Sequence, residues 1–159
     1  MRRMLRSGLL LVPALVLFAL DHYGREAKRL GDLMNWRPGE VIAEIGAGEG
    51  EMSFAAAQKV GLSGRIYATE LDASKVAHLQ AEVARRKLQN VSIIQADPVG
   101  TNLPDGCCDA IFMRHVYHHF EKPVETDAAI LRALKAGGLL GIIDFPPRNW
   151  GNGGHGICE

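Results

Sequence analysis

A glycine-rich turn between a strand-like and a helix-like segment constrains this chain most. Residues Glu44 to Gly50 read EIGAGEG, after a short apolar run and before a segment with helical spacing. Glycine reaches backbone angles that a Cβ forbids, and it lets a ligand approach the main chain closely. A second strand ends in Glu70, about 20 residues beyond the turn, where a carboxylate reaches ribose hydroxyls in nucleotide-binding α/β folds. The turn therefore predicts a nucleotide-like ligand at the end of the first strand.

The rest of the chain alternates between strand-like and helix-like segments. This alternation implies parallel pairing through right-handed crossovers, with ligands bound beyond the carboxyl ends of the strands. The predicted fold is α/β: a Rossmann-like open sheet, mainly parallel, with helices on both faces. Asp72 is predicted to cap a helix, and Gly137 with Gly138 to end the last one. The predicted strands are 41–45, 65–71, 91–96, 108–113 and 139–144, and the predicted helices are 21–36, 51–60, 73–88 and 123–135.

Three regions are predicted along the chain: residues 1–20, a domain over 21–147, and a glycine-rich polar tail over 148–159. The first region has arginines, no acid and the apolar run SGLLLVPALVLFAL, the layout of a secretory signal peptide or an uncleaved anchor. This run is shorter than the roughly 20 residues that a membrane-spanning helix needs. We expect export or membrane association through residues 5–20, on the periplasmic side. The alternative is a cytoplasmic protein in which the run is a buried first helix.

Charge and cysteine content exclude several classes of protein. The 18 basic and 18 acidic residues balance, so the chain lacks the positive surplus typical of nucleic-acid binding, and no nucleic-acid partner is expected. The odd number of cysteines, without CxxC spacing, does not fit a disulfide scaffold or a zinc site. No HExxH pattern is present, and no metal site is predicted.

The spacing within the turn separates two classes of ligand. A dinucleotide fold favours GxGxxG, in which the helix N-terminus faces a pyrophosphate. Here the third glycine comes one residue earlier, and Glu49 and Glu51 flank it. These carboxylates would repel a pyrophosphate but tolerate a cationic ligand. The alternation of strands and helices therefore fits a dinucleotide-dependent oxidoreductase, but the glycine spacing of the turn does not.

Five motifs in order resemble those of the class I S-adenosylmethionine-dependent methyltransferases. They are VIAEIGAGEG, YATELD, IIQAD followed by LPDG, CDAIFMRHVYHHF and LKAGGLLGIIDFPP, and together they cover about residues 38–147. Within the family, the chain is most similar to small bacterial methyltransferases that carry an export signal. The resemblance implies S-adenosylmethionine as the cofactor and a small-molecule or lipid-like acceptor.

The resemblance also implies a role for individual residues. Glu44 would lie near the cofactor amino group, and the turn would face its methionine half. The acid that ends the second strand would bind the ribose hydroxyls, and Asp97 the adenine amine, with Val99 beside the ring. Arg114 would pair with the cofactor carboxylate or with an anionic acceptor. The complete set of predicted cofactor-binding residues is Glu44, Gly46, Ala47, Gly48, Gly50, Glu70, Leu71, Asp97, Pro98 and Arg114.

The acceptor side is predicted after the fourth and fifth strands. Methyl transfer is an in-line displacement, so the protein mainly aligns the reactants and excludes water. A hydroxyl or thiol acceptor also needs a general base, and histidine suits that task. His115, His118 and His119 are the candidate bases, and Tyr117 and Asp144 are candidate substrate contacts. A metal site built from the three histidines is the disfavoured alternative.

The chain departs from the family after the fifth strand. Family members usually continue with a helix and a β-hairpin, which the residues after Pro147 do not provide. The fifth strand would then be an exposed edge, which needs cover. Truncation, a homodimer through that edge, and cover by the amino-terminal segment are all open. The predicted function is a methyltransferase enzyme, and the alternative is a non-catalytic module that binds S-adenosylmethionine or S-adenosylhomocysteine.

Overall fold

The computed structural model describes residues 14–145, with side chains from residue 22 onward. The amino-terminal half of the signal-like segment and the predicted tail over 148–159 lie outside the described residues. Helices and strands alternate as the sequence predicts. The helices are α1 (Ala14–Leu33), α2 (Glu51–Val60), α3 (Ala73–Arg86) and α4 (Pro123–Ala133), with a 3₁₀ turn at Tyr117–His119, and the strands are β1 (Val41–Ile45), β2 (Arg65–Glu70), β3 (Val91–Gln95), β4 (Cys108–Arg114) and β5 (Leu134–Ile143).

The five described strands form one parallel sheet in the order β3-β2-β1-β4-β5. The chain moves outward from β1 to β3 and then returns to the other side of β1 with β4. The strand order therefore reverses between β1 and β4, where ligands bind in open α/β sheets. Ile45, the last residue of β1, is in register with Thr69 of β2 and Met113 of β4.

Helices pack on both faces of the sheet, because successive strand residues point to opposite sides. In β4, Ala110 and Phe112 pack with residues of α1 and α2, whereas Ile111 and Met113 pack with residues of α4. From Ala110 to Met113 this strand is apolar on both faces, as expected for a parallel sheet covered on both sides. The two cores hold the carboxyl ends of β1 and β4 in fixed positions.

Of the element boundaries, the starts of α1 and β5 differ most from the prediction. The helix predicted to start at residue 21 begins at Ala14, so it crosses the boundary predicted between the signal-like segment and the domain. The described part of the chain contains no helix that is long and apolar enough to cross a membrane. The last helix ends at Ala133, and Leu134, Lys135, Gly137 and Gly138 belong to β5. The prediction of a helix to residue 135 with a glycine stop was wrong, because pairing with β4 outweighs local preference there.

No described strand pairs with the outer edge of β5. Leu139, Leu140 and Ile142 on this strand are each a little under half exposed. The end of helix α1 covers part of its face, since a Cβ at Gly141 would lie 3.3 Å from Leu30 and 2.6 Å from Met34, which follows the helix. The exposed edge predicted for the fifth strand is therefore present in the described residues.

Candidate active site

A cavity of about 550 Å³ opens at the carboxyl ends of the strands, where the strand order reverses. Its volume lies within the range of small-molecule sites. Nine of the predicted site residues line it: Gly46, Gly48, Glu70, Leu71, Asp97, Pro98, Arg114, His115 and His119. The residues that line it without having been predicted include Thr69, Lys75, Thr101, Val116 and Thr126.

The three glycines of the turn differ in their surroundings. A Cβ at Gly46 would lie 2.6 Å from Val116, and one at Gly50 would lie 2.6 Å from Leu79 and Phe54. A Cβ at Gly48 would meet no described atom within 4 Å, although its φ of +56° is still costly for other residues. Gly46 and Gly48 line the cavity, whereas Ala47 and Gly50 pack into the protein. Gly48 is therefore the residue whose bare backbone is open to a ligand.

Glu70 is held by the backbone at the end of β2. One carboxylate oxygen accepts from the Gly48 amide at 2.9 Å, and the other accepts from the amides of Leu71 at 2.9 Å and Asp72 at 3.2 Å. The residue is buried but lines the cavity. A carboxylate has about four acceptor sites, so one remains for a ligand hydroxyl. A hydrogen bond thus connects the glycine turn to Glu70, although the two are far apart in sequence.

Thr69 supplies a further observation about what the cavity can hold. Its hydroxyl is buried and finds no hydrogen-bond partner among the described residues. A buried polar group without a partner costs free energy, and such groups usually have one. The orphaned hydroxyl, the open Gly48 backbone and the oriented Glu70 carboxylate fit a polar nucleoside. The residues present therefore suit S-adenosylmethionine.

Glu44 lies behind the turn and does not line the cavity. Its side chain is buried and accepts a hydrogen bond of 2.6 Å from the Ser53 hydroxyl of α2. Burial raises the pKa of Glu44 to about 8, against the lowering effects of Ser53 and Arg114. Glu44 is therefore not one of the residues that line the cavity, and its predicted contact with a cofactor amino group stays a prediction.

The loop after β3 forms the predicted adenine side. Asp97 and Pro98 line the cavity, and the Asp97 and Gly100 backbones bond to each other in a tight turn. Leu71, half exposed, lies on the same side. Val99 is exposed and does not line the cavity. Asp97 is itself exposed, so a bond from it to a ligand would be screened by solvent.

Arg114 lies at the end of β4 and lines the cavity. Its Nε donates to Glu26 of α1 at 2.7 Å, and its guanidinium lies 5.2 Å from the centroid of the Tyr23 ring. Both partners of the ion pair are about one-fifth exposed. This bond does not use the Nη groups. Glu26 of α1 therefore orients the guanidinium while leaving Nη donors that can bind a carboxylate.

The histidine-rich loop follows β4 and is tied to the end of β5. His115 has a φ of +54°, and its amide donates to Ile143 at 2.7 Å. A non-glycine residue in this conformation is strained, and such residues cluster at functional sites. The His115 and His119 rings line the cavity. His118 does not line it, and its Nδ1 lies 2.7 Å from an Asp144 oxygen.

Tyr117 is not among the residues that line the cavity. Its hydroxyl donates to Asp127 of α4 at 3.0 Å, and this bond raises the pKa of Tyr117. The Tyr117 hydroxyl is thus bonded to α4, and its predicted contact with the substrate stays a prediction. Residues 22–145 contain no group of three His, Cys, Asp or Glu side chains placed to hold one metal ion.

Sequence reasoning missed the threonines that line the cavity. Thr69 directly precedes the predicted acid, and Thr126 lies in the first turn of α4. Nothing in the spacing distinguishes either residue from an ordinary strand or helix threonine. Val116, which also lines the cavity and would contact a Cβ at Gly46, was missed for the same reason.

An open parallel sheet, a glycine turn after β1 and a backbone-held carboxylate at the end of β2 define a nucleoside-binding domain of the class I methyltransferase type. Residues 43–142 match the family model described as methyltransferase domain. The chain belongs to this family. The cofactor of these methyltransferases is S-adenosylmethionine, as predicted from the resemblance.

Similar proteins support the same class. The chain is 30% identical over 131 residues to nocamycin O-methyltransferase of Saccharothrix syringae, covering 80% of this chain and 47% of that one. It is 29% identical over 120 residues to a ubiquinone/menaquinone biosynthesis C-methyltransferase of Hydrogenovibrio crunogenus, covering 72% and 45%. The chain thus spans about half the length of the curated relatives it matches. A SAM-dependent methyltransferase from Aquifex aeolicus has the same fold, with a TM-score of 0.72 at 24% identity over 79% of this chain and 68% of that one.

Proposed function

We propose that this protein is an S-adenosylmethionine-dependent methyltransferase that transfers a methyl group to a small-molecule or lipid-like acceptor. The observation that carries the proposal is the Glu70 carboxylate, which the Gly48 amide holds at the edge of the cavity. The relatives named above act in O- and C-methylation by their names, which supports a small-molecule acceptor. When bound, the cofactor supplies an electrophilic methyl group on a sulfonium.

The chain's own residues would divide the work between binding and alignment. Glu70 would accept the ribose hydroxyls, and Arg114 would donate to the cofactor carboxylate with Nη groups that its bond to Glu26 leaves unused. The His115 and His119 rings would close the cavity on the acceptor side and exclude water. Alignment and exclusion of water provide most of what an in-line transfer needs.

A second candidate is a module that binds the cofactor without catalysing a reaction. The specific observation in its favour is the outer edge of β5, which no described strand covers. Both candidates predict that S-adenosylhomocysteine binds. The enzyme alone predicts consumption of S-adenosylmethionine labelled in its methyl group.

The test combines calorimetry with a transfer assay on the full chain. We expect heat on titration with S-adenosylhomocysteine and none with NADH, followed by transfer of label to at least one acceptor in a panel of phenols, quinols, thiols and amines. Binding without transfer to any acceptor would favour the non-catalytic module. No binding of S-adenosylhomocysteine would contradict both candidates, and tight binding of NADH would favour an oxidoreductase instead.

We also propose that residues 5–20 bring the protein to the membrane on the periplasmic side, because arginines precede an apolar run there. Fusion of residues 1–20 to a reporter should place it in the membrane or exported fraction, and a wholly cytosolic reporter would contradict this.

The exposed apolar side chains of β5 support a homodimer along that edge. Sedimentation should then give twice the monomer mass, and Ile142→Lys should abolish the dimer.

A further inference from the structure

His118 and Asp144 form a pair of side chains that the sequence did not connect. They are 26 residues apart, and the His118 Nδ1 lies 2.7 Å from Asp144 Oδ1. The His118 amide also donates to Asp144 Oδ2 at 3.2 Å, so one carboxylate holds both the backbone and the ring of this histidine. When Nδ1 carries the proton that Asp144 accepts, Nε2 is left as a free acceptor.

Asp144 is itself oriented to serve as this acceptor. The Phe145 amide donates to its Oδ1 at 2.7 Å, and its side chain is 16% exposed. Burial raises the pKa of Asp144, but the hydrogen bonds from Phe145 and His118 outweigh it and hold the pKa below its ordinary value. The carboxylate is therefore charged when it faces the imidazole.

Aromatic rings surround this pair beside the cavity. Phe145 stacks on His115 with ring centroids 4.2 Å apart, and it meets His118 edge-on at 5.7 Å. The His118 ring also contacts that of His119, which lines the cavity, at 4.0 Å between centroids. Phe145 is 64% exposed, so it offers an apolar surface next to the His118 ring. A planar ring can pack against such a surface.

We propose that the acceptor is an aromatic hydroxyl, that Phe145 packs against its ring, and that His118 removes its proton while Asp144 positions His118. This inference rests on the proposed function and specifies its acceptor class. Asp144 is a positioning residue here, because it acts on the reaction only through His118. The arrangement is the one in which a carboxylate fixes the tautomer of a histidine base.

The transfer balances with this assignment. The acceptor oxygen forms a bond to the methyl carbon with the electron pair of its O–H bond, and the proton goes to His118 Nε2. The bond between the methyl carbon and sulfur breaks, and its electron pair stays on sulfur as a neutral thioether. The positive charge of the sulfonium is replaced by that of the imidazolium, opposite the Asp144 carboxylate.

The first test needs no acceptor. In protein with ¹⁵N-labelled histidines, long-range ¹H–¹⁵N spectra distinguish the two neutral tautomers, and the His118→Asn spectrum identifies the His118 signals by their loss. We expect the proton on Nδ1 in the wild type and a shift towards the Nε2 tautomer in Asp144→Asn, whose amide can donate to Nδ1. Asp32→Asn, which removes an exposed carboxylate bonded to Lys28, is the control and should leave the tautomer unchanged. A proton on Nε2 in the wild type would overturn the proposal.

The second test distinguishes whether His118 acts as a general base or only anchors the loop. In His118→Asn the side-chain N–H can still reach Asp144, but the base is gone. With catechol as acceptor we expect turnover to fall about 100-fold in His118→Asn, as for loss of a general base. With thiophenol, which is already largely ionised at mildly alkaline pH, turnover should stay within about threefold of the wild type because no base is needed. Unchanged affinity for S-adenosylhomocysteine would show that the cofactor site is intact.

Each result decides between the proposals. If His118→Asn retains turnover with catechol, the pair merely anchors the loop and the inference fails. If the wild type binds S-adenosylhomocysteine and methylates no aromatic hydroxyl, the acceptor class is wrong while the proposed cofactor site stands. If the wild type does not bind S-adenosylhomocysteine, the proposed function fails, and this inference fails with it.

Discussion

The proposed cofactor side and the proposed acceptor side of the cavity are built in different ways. Glu70 is buried and accepts three backbone hydrogen bonds at the end of an interior strand. His118, in contrast, has a side chain that is 43% exposed, and its partner Asp144 follows the edge strand β5. The cofactor side is therefore fixed by the sheet, whereas the acceptor side depends on a short turn and on side chains. Such a division lets one rigid scaffold serve different acceptors.

Two carboxylates at these sides have pKa values shifted in opposite directions. Glu44 has a raised pKa because it is buried, and Asp144 has a lowered one because hydrogen bonds outweigh its burial. A raised carboxyl pKa makes the folded state less stable as the group ionises, and a lowered one makes it more stable. The following substitutions test this contrast and the difference in rigidity.

The largest expected effect is that of Glu44→Gln, which keeps an oxygen for Ser53 and removes the ionisation. In the ligand-free protein, the variant should gain stability relative to the wild type as the pH rises from 4.5 towards 8. The gain should reach on the order of 4 kcal/mol at most. Urea unfolding across this pH range measures it.

Asp144→Asn is the matched comparison for Glu44→Gln. It should lower stability at neutral pH, and the loss should disappear as the pH falls and the wild-type carboxyl is protonated. If both variants followed the same pH trend, the contrast between the two carboxylates would be refuted.

The next prediction distinguishes a glycine that is needed for packing from one that is needed for ligand binding within the turn. Gly50→Ala should cost about 3 kcal/mol of unfolding free energy, because φ is +82° and the new Cβ meets Leu79 and Phe54. Gly48→Ala should cost only about 1 kcal/mol, for its φ alone, since no described atom is near. Gly48→Ala should nevertheless weaken S-adenosylhomocysteine binding. Denaturant curves and calorimetry together test this, and equal losses of stability in both variants would contradict it.

Glu70→Gln tests the cofactor side directly. Removing a charged acceptor should raise the Kd for S-adenosylhomocysteine about 100-fold, or roughly 2.7 kcal/mol, because hydrogen bonds to charged groups are strong. Glu125→Gln, exposed in the first turn of α4, is the control and should bind as the wild type does. Calorimetry measures both affinities. A change in Kd below about threefold in Glu70→Gln would mean that the ribose lies elsewhere.

Asp97→Ala should have the smallest effect. Asp97 lines the cavity but is exposed, so solvent screens its contribution. We expect the Kd for S-adenosylhomocysteine to rise by about threefold, less than 1 kcal/mol. A loss as large as that of Glu70→Gln would show that the adenine side is as rigid as the ribose side.

Much of the proposed cofactor side could be located from sequence because its signals are local. The glycines of the turn and the acid about 20 residues later fall at spacings that the strand–turn–helix unit imposes. Residues such as Thr69 and Val116 could not be predicted, because their position in the cavity depends on the register of β1 with its neighbours. The helix predicted over residues 134–135 failed for a related reason, since pairing with β4 decides that segment.

The sequence by itself determined the alternation of strands and helices, the turn that leaves Gly48 bare, and the acid at the end of β2. These follow from backbone sterics and from side-chain periodicity, which act between near neighbours. Only the tertiary structure decided that Glu44 faces α2, that Tyr117 faces α4, and that Asp144 holds His118. Such pairings depend on which strand ends the fold brings together and on the direction of each side chain. Neither can be read from the spacing of residues along the chain.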